Sequence, residues 1–169
     1  MQTVDFLKRI LPPAGLYVAA RLVGKHFRNH VCESIEELAQ QVLEYDNQEV
    51  AAYHACAVYR EREVDGIKDG KPIKQVRVHR NVRALRSFFM DLDVAEGNPA
   101  KYESQSAAID GLADFLLATS LPAPMVVSSG GGIHIYWSLT DDIQPETWKQ
   151  TAECLKALSA HHKLRSAPA

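Results

Sequence analysis

Apolar and polar positions along this chain alternate between two periods. Residues 1–10 have the spacing of a short helix, which Pro12-Pro13 would end, because proline cannot continue the amide ladder. Leu16–Val23 is an apolar run of strand length, and Ala51–Tyr59 is a second, buried one. Between them Ser34-Ile35-Glu36-Glu37 has the form of a capping box. It opens a helix to about Tyr45, with Ile35, Leu38, Val42 and Leu43 on the apolar face. Asp65–Pro72, with two Asp-Gly-type turn signals, reads as a solvated loop. Gln75–Arg86 contains a helical turn that leads into a strand over 86–94. After a loop at Glu96–Pro99, a helix over Ser104–Thr119 should turn Ala108, Leu112, Phe115 and Leu116 inwards. Leu121-Pro122-Ala123-Pro124 ends it and starts a strand over 124–128. In 132–139, Ile133, Ile135 and Trp137 alternate with His134, Tyr136 and Ser138, the period of a half-buried strand. A final helix begins near Gln144-Pro145-Glu146 and runs towards His161. The pattern is mixed α/β, with strands 86–94, 124–128 and 132–139 in one sheet.

Composition narrows the class without naming a chemistry. The 169 residues fit one domain with a real core, and 46% hydrophobic and 24% charged residues are ordinary for a globular protein. A net charge of -2 excludes a surface coated in positive charge but leaves room for a local basic face. Cys32, Cys56 and Cys154 are odd in number and widely spaced, which suggests buried thiols in a reducing compartment, hence a cytoplasmic protein. No segment approaches the roughly 20 apolar residues that cross a bilayer, so no membrane partner is expected.

The chemistry is concentrated in two short runs. In Phe88-Phe89-Met90-Asp91-Leu92-Asp93 the strand alternation sends Asp91 and Asp93 to one face and Leu92 to the core. Two carboxylates side by side repel unless a cation lies between them, and Mg²⁺ or Mn²⁺, which prefer oxygen ligands, suit the pair. In Ser129-Gly130-Gly131-Gly132-Ile133-His134 the glycines allow close backbone approach, so that amides, the Ser129 hydroxyl and His134 could meet phosphate oxygens. The run lacks G-K-[ST] and is no P-loop. Arg77, Arg80, Arg83 and Arg86 recur every third residue, which on a helix would place most of them along one side, where they could meet a phosphate backbone; Tyr136 could stack a base. A solvated charged face explains the arginines equally well, and Trp137 reads as core.

In order and separation these two runs resemble the archaeo-eukaryotic primase superfamily, in particular primase-polymerase domains of phages and plasmids. The resemblance covers roughly residues 50–160. It implies an α+β primase-like core with an RRM-like sheet unit around the two motifs. Asp91 and Asp93 would hold Mg²⁺ or Mn²⁺, and His134, Ser129 and Gly130–Gly132 would bind the incoming nucleoside triphosphate, with Asp91, Asp93 and His134 catalytic. The implied activity is that of a DNA primase: template-directed nucleotidyl transfer on single-stranded DNA, with a helicase domain in the same or a partner chain. The family's third acid has no clear counterpart, since Asp141 and Asp142 follow the histidine strand too closely. The chain is therefore expected to be a fragment cut before that motif, with Lys163–Ala169 carrying no final element. The alternative is a non-catalytic nucleic-acid-binding module of a replication protein. A replication-initiation nuclease fits poorly, because only one histidine lies on the strand.

Overall fold

The structure, a computed structural model, describes residues 2–166. It is a mixed α+β fold with four α-helices and three antiparallel sheets among the described residues. The chain divides into two compact units, Met1–Arg86 with Thr140–Pro145, and Ser87–Leu139 with Glu146–Ala169.

In the first unit, α1 (Thr3–Ile10) buries Leu7 and Ile10 and stops before the two prolines. The Tyr17 hydroxyl then donates to the Pro12 carbonyl at 2.8 Å, fixing the entry to β1 (Tyr17–Val23). Gly24, at φ 60°, supplies the first position of a tight turn into β2 (His26–Cys32), where only glycine is free of strain. The polar sequence of β2 carries no strand signal; pairing along β1 creates it. α2 (Ile35–Asn47) has the predicted cap: Ser34 Oγ accepts from the Glu37 amide at 3.1 Å, while the Glu37 carboxylate accepts from the Glu33 amide at 2.7 Å. Ile35 and Leu38 are buried as expected, but Leu43 is exposed.

The single strand expected over 51–59 is two. β3 (Ala52–His54) pairs with β1, and after a break β4 (Ala57–Tyr59) pairs with the start of β7 (Val82–Asp93). The solvated loop expected over 65–72 is a hairpin of β5 (Val64–Lys68) and β6 (Lys71–Gln75). Asp69 and Gly70 both have positive φ, 52° and 74°, as a two-residue turn between paired strands requires. A 3₁₀ turn at His79–Asn81 leads into β7, as predicted. Buried Asn81 holds it, donating to the Glu61 and Val76 carbonyls at 2.8 and 3.0 Å and accepting from the Glu61 amide at 3.0 Å.

In the second unit β7, β9 (Gly132–Ile143) and β8 (Met125–Ser128) are neighbours in that order, so the three strands predicted to share a sheet do so. Met90 and Leu92 of β7 and Ile133, Ile135 and Trp137 of β9 pack against Ala108, Leu112 and Phe115 of α3 (Gln105–Thr119). Each large side chain so buried stabilises the unit by about 1.5–3 kcal/mol. α3 starts where Ser104 Oγ accepts from the Ala107 amide, and α4 (Pro145–His161) closes the order. Trp148 of α4 donates to the Ser87 carbonyl at 2.8 Å and stacks on Phe88 and Phe89, with centroids 5.7 and 5.9 Å away. Beyond α4, Lys163–Ser166 forms no helix or strand, and 167–169 lie outside the described residues.

Candidate functional site

With Met90 and Leu92 committed to the core, strand alternation turns Asp91 and Asp93 to the opposite face of β7, where both are half-exposed. β9 brings His134 to the same place, its Nε2 3.5 Å from Asp91 Oδ1. The two runs singled out in the sequence, apart along the chain, therefore meet through adjacent strands of one unit.

The glycine turn has three different jobs at its three glycines. Gly130, at φ 81°, adopts a left-handed backbone that side chains disfavour. The Gly131 carbonyl accepts from the Val94 amide at 2.9 Å, tying the turn to the end of β7. Gly132 lies flat against β7: a Cβ there would meet the Leu92 carbonyl oxygen well inside contact distance, and would sit 3.1 Å from the Asp93 Cα. The exposed Ser129 closes the hairpin through its amide, which donates to the Gly132 carbonyl at 3.0 Å. Thus Gly132 serves the approach of β9 to the acidic strand, a packing role that the reading of the glycines as phosphate cradle did not include.

Two residues at the site were missed in the sequence. The chain after Asp93 folds back on itself. The Ala95 amide donates to the Tyr102 carbonyl at 2.9 Å and the Tyr102 amide to the Asp93 carbonyl at 3.0 Å. That reversal delivers Lys101, whose Nζ lies 3.0 Å from Asp93 Oδ2. The cation that two adjacent carboxylates require is thus partly supplied by the protein itself. Gln105, at the first turn of α3, donates to Ser128 Oγ and to the Gly132 carbonyl, both at 3.1 Å, and so braces the glycine turn from the core side. Gly97-Asn98-Pro99 was a visible signal that the chain reverses there, though nothing local showed where Lys101 would end.

The Asp91 carboxyl titrates above the ordinary aspartate range. Partial burial disfavours its charge most; the His134 ring and Lys101 act against this, and the Asp93 charge adds to it. Two carboxylates and an imidazole are donors that suit Mn²⁺ or Mg²⁺. They do not form a closed three-ligand cage: among the described residues the one group of three with ligand atoms within 4.8 Å of one another is His30, Cys32 and Glu37 in the first unit. There the His30 and Glu37 side chains are exposed, Glu37 also caps α2, and burial pushes the Cys32 thiol up to about 11, which opposes the thiolate a metal needs. Of the thiols expected to be buried, Cys154 is exposed and Cys56 only partly covered.

The four arginines do not share a helix face, because only His79–Asn81 is helical and Arg83 and Arg86 stand on β7. Arg77 lies over the Phe27 ring at 5.5 Å from its centroid, and the Arg80 carbonyl accepts from Arg60 at 3.1 Å. Arg83 is exposed, whereas Arg86 donates to the Thr140 carbonyl at 2.8 Å and pairs with Asp142 at 3.7 Å. Tyr136, expected on the wet face as a base-stacking ring, is 5% exposed and sits beside Phe89 and His134 with centroids 6.4 Å away. Trp137 is core as read, its indole donating to the Pro122 carbonyl at 2.8 Å. Asp141 and Asp142 lie on β9 itself, not on a turn after it.

No helix among the described residues is long and apolar enough to cross a membrane. No family model, curated protein or solved structure matches the chain.

Proposed function

We propose that this chain carries the nucleotide site of a primase-polymerase of the archaeo-eukaryotic type, adding nucleotides to a primer on single-stranded DNA. The observation that carries the reading is the meeting of Asp91 and His134 at 3.5 Å across adjacent strands, at the mouth of a glycine turn. In this reading Asp91 and Asp93 hold Mn²⁺ or Mg²⁺, which would neutralise the triphosphate and activate a primer hydroxyl. His134 donates to a phosphate oxygen, and Ser129 with the Gly130 and Gly131 backbone lines the triphosphate path. Lys101, paired with Asp93 at 3.0 Å, would be placed to meet a phosphate oxygen were Asp93 to hold the metal. Gln105 and Gly132 position the turn. The finer fold, a primase-like core with an RRM-like sheet, goes with this reading.

Isothermal titration of a nucleoside triphosphate with Mn²⁺ tests it. Binding by the unmodified chain that Asp91→Asn and His134→Ala each abolish is the expected result. Triphosphate binding indifferent to Asp91→Asn would overturn the metal assignment. The second reading, a non-catalytic nucleic-acid-binding module, is favoured by the Lys101–Asp93 pair, which gives Asp93 a partner without any metal. It predicts DNA binding without any Mn²⁺-dependent triphosphate heat.

A further inference from the structure

We infer that the open face of the three-stranded sheet in the first unit is a binding platform for single-stranded nucleic acid, built on Phe27 and Tyr53 with Arg77. The inference rests on the proposed function only for its biological setting, and names where the strand would lie. In the order β2-β1-β3, Leu22 of β1 stands opposite Phe27 of β2, and Ala20 stands opposite Tyr53 of β3. Directly opposed residues, and residues two apart on a strand, share a face, so Phe27, Leu22, Ala20 and Tyr53 all point the same way. Ala20 is the small residue between the outer strands, and the Phe27 and Tyr53 rings meet over it edge to face, with centroids 5.1 Å apart. The other face of β1 is turned to α2, where the Arg21 guanidinium lies 5.4 Å from the Tyr45 ring centroid.

The aromatic face is open: Phe27 is 49% and Tyr53 42% exposed. A soluble unit gains nothing from two large rings held half in water, and such a patch marks a binding surface. Its charge selects the occupant. No Asp or Glu occurs in Tyr17–Cys32 or in Ala52–His54; Arg21 and its opposed neighbour Arg28 belong to the α2 side, while Lys25 lies in the turn two residues before Phe27. Arg77 adds a guanidinium over Phe27 itself. An apolar protein partner would not need a guanidinium held over the ring and a lysine in the adjoining turn. Rings on an antiparallel sheet whose strands carry no carboxylate, with Lys25 and Arg77 beside them, suit unpaired bases stacked on the rings with phosphates at the cations. A duplex hides its base faces and would not use the rings. The sequence reading placed strand binding on an arginine series and Tyr136; the structure makes Arg77 the member of that set that stands beside an exposed ring.

The test is fluorescence anisotropy of a labelled oligothymidylate of about 16 nucleotides with the whole chain. The Phe27→Ala, Tyr53→Ala double variant should weaken binding by roughly 25-fold or more, since each stacked base is worth at least about fivefold. Phe27→Leu with Tyr53→Leu keeps the patch apolar but removes the stacking faces, and should weaken binding similarly. Phe27→Tyr with Tyr53→Phe should retain it. Arg77→Ala should lower the salt dependence by about one released ion. Absence of oligonucleotide binding by the unmodified chain, or full binding by the leucine pair, would overturn the inference. Titrating the alanine pair with Mn²⁺ and a nucleoside triphosphate keeps the two ideas apart. Lost strand binding with retained triphosphate binding supports the platform. Strand binding that depends on the rings in a chain that takes no triphosphate defeats the proposed function and leaves the platform standing.

Discussion

Replacing Gly132 by alanine is the most direct probe of how the site is built. The residue's own backbone is one that any amino acid adopts, so conformational strain is not the issue; space is. An added Cβ would lie 3.1 Å from the Asp93 Cα and 3.2 Å from the Leu92 carbonyl carbon, with the carbonyl oxygen nearer still. Carbon atoms in contact prefer about 3.5–4.0 Å, so β7 and β9 would have to part by roughly 0.5 Å or more. The obstructing atoms are backbone, and no rotamer change can move them aside. Overpacking of this kind costs typically about 1–3 kcal/mol, and a clash with main chain belongs at the upper end, about 3 kcal/mol. For a chain of this size that is a fall in Tm of about 6–12 °C by calorimetry. Gly131→Ala is the control: nothing lies within 4 Å of its added Cβ, so its Tm should stay within about 2 °C. Gly130→Ala falls between, since φ 81° strains alanine by about 1–2 kcal/mol without a clash. If Gly132→Ala melts with Gly131→Ala, the close approach of the glycine turn to the acidic strand is wrong.

Asp91 should trade stability for function. Its carboxyl is held above the ordinary 3.8 chiefly by burial, so between that value and its folded pKa the native state binds more protons than the unfolded one, and stability falls as pH rises. The cost is fully present at neutral pH and absent below about 3.8. Asp91→Asn should therefore raise Tm at pH 7 while removing metal-dependent binding, and the gain should vanish in acid; a lower Tm at pH 7 would contradict the burial assignment. Trp148→Ala removes an indole stacked on Phe88 and Phe89 and its hydrogen bond to Ser87, and should cost about 3–5 kcal/mol in denaturant unfolding. A loss under about 1 kcal/mol would show that α4 is not anchored there.

Local pattern alone was sufficient where a segment's own residues decide its state. α1 stops at two prolines, Ser34 and Glu37 cap α2, and the alternation Met90-Asp91-Leu92-Asp93 places the acids opposite the core, all from neighbours in the chain. That Asp91 and His134 stand on strands of one sheet was legible too, but that β9, and not the strand β8 which directly follows the helix, lies beside β7 was decided by the tertiary fold. Other features depended on partners distant in sequence. β2 is a strand because β1 pairs with it, and Asp69-Gly70 turns a hairpin rather than a loop because Val64–Lys68 and Lys71–Gln75 pair. The threefold spacing of the arginines suggested a helix, but β7 claims Arg83 and Arg86 through pairing that no local period can overrule. Tyr136 kept its place in the alternation yet is covered, since burial depends on what packs over a face and not on which face a residue takes. Lys101 on Asp93, Gln105 on the glycine turn, and Phe27 against Tyr53 across Ala20 are likewise decisions of tertiary structure. Period sets direction within an element, whereas contact between elements is set by register and chain reversal, which the local pattern does not encode.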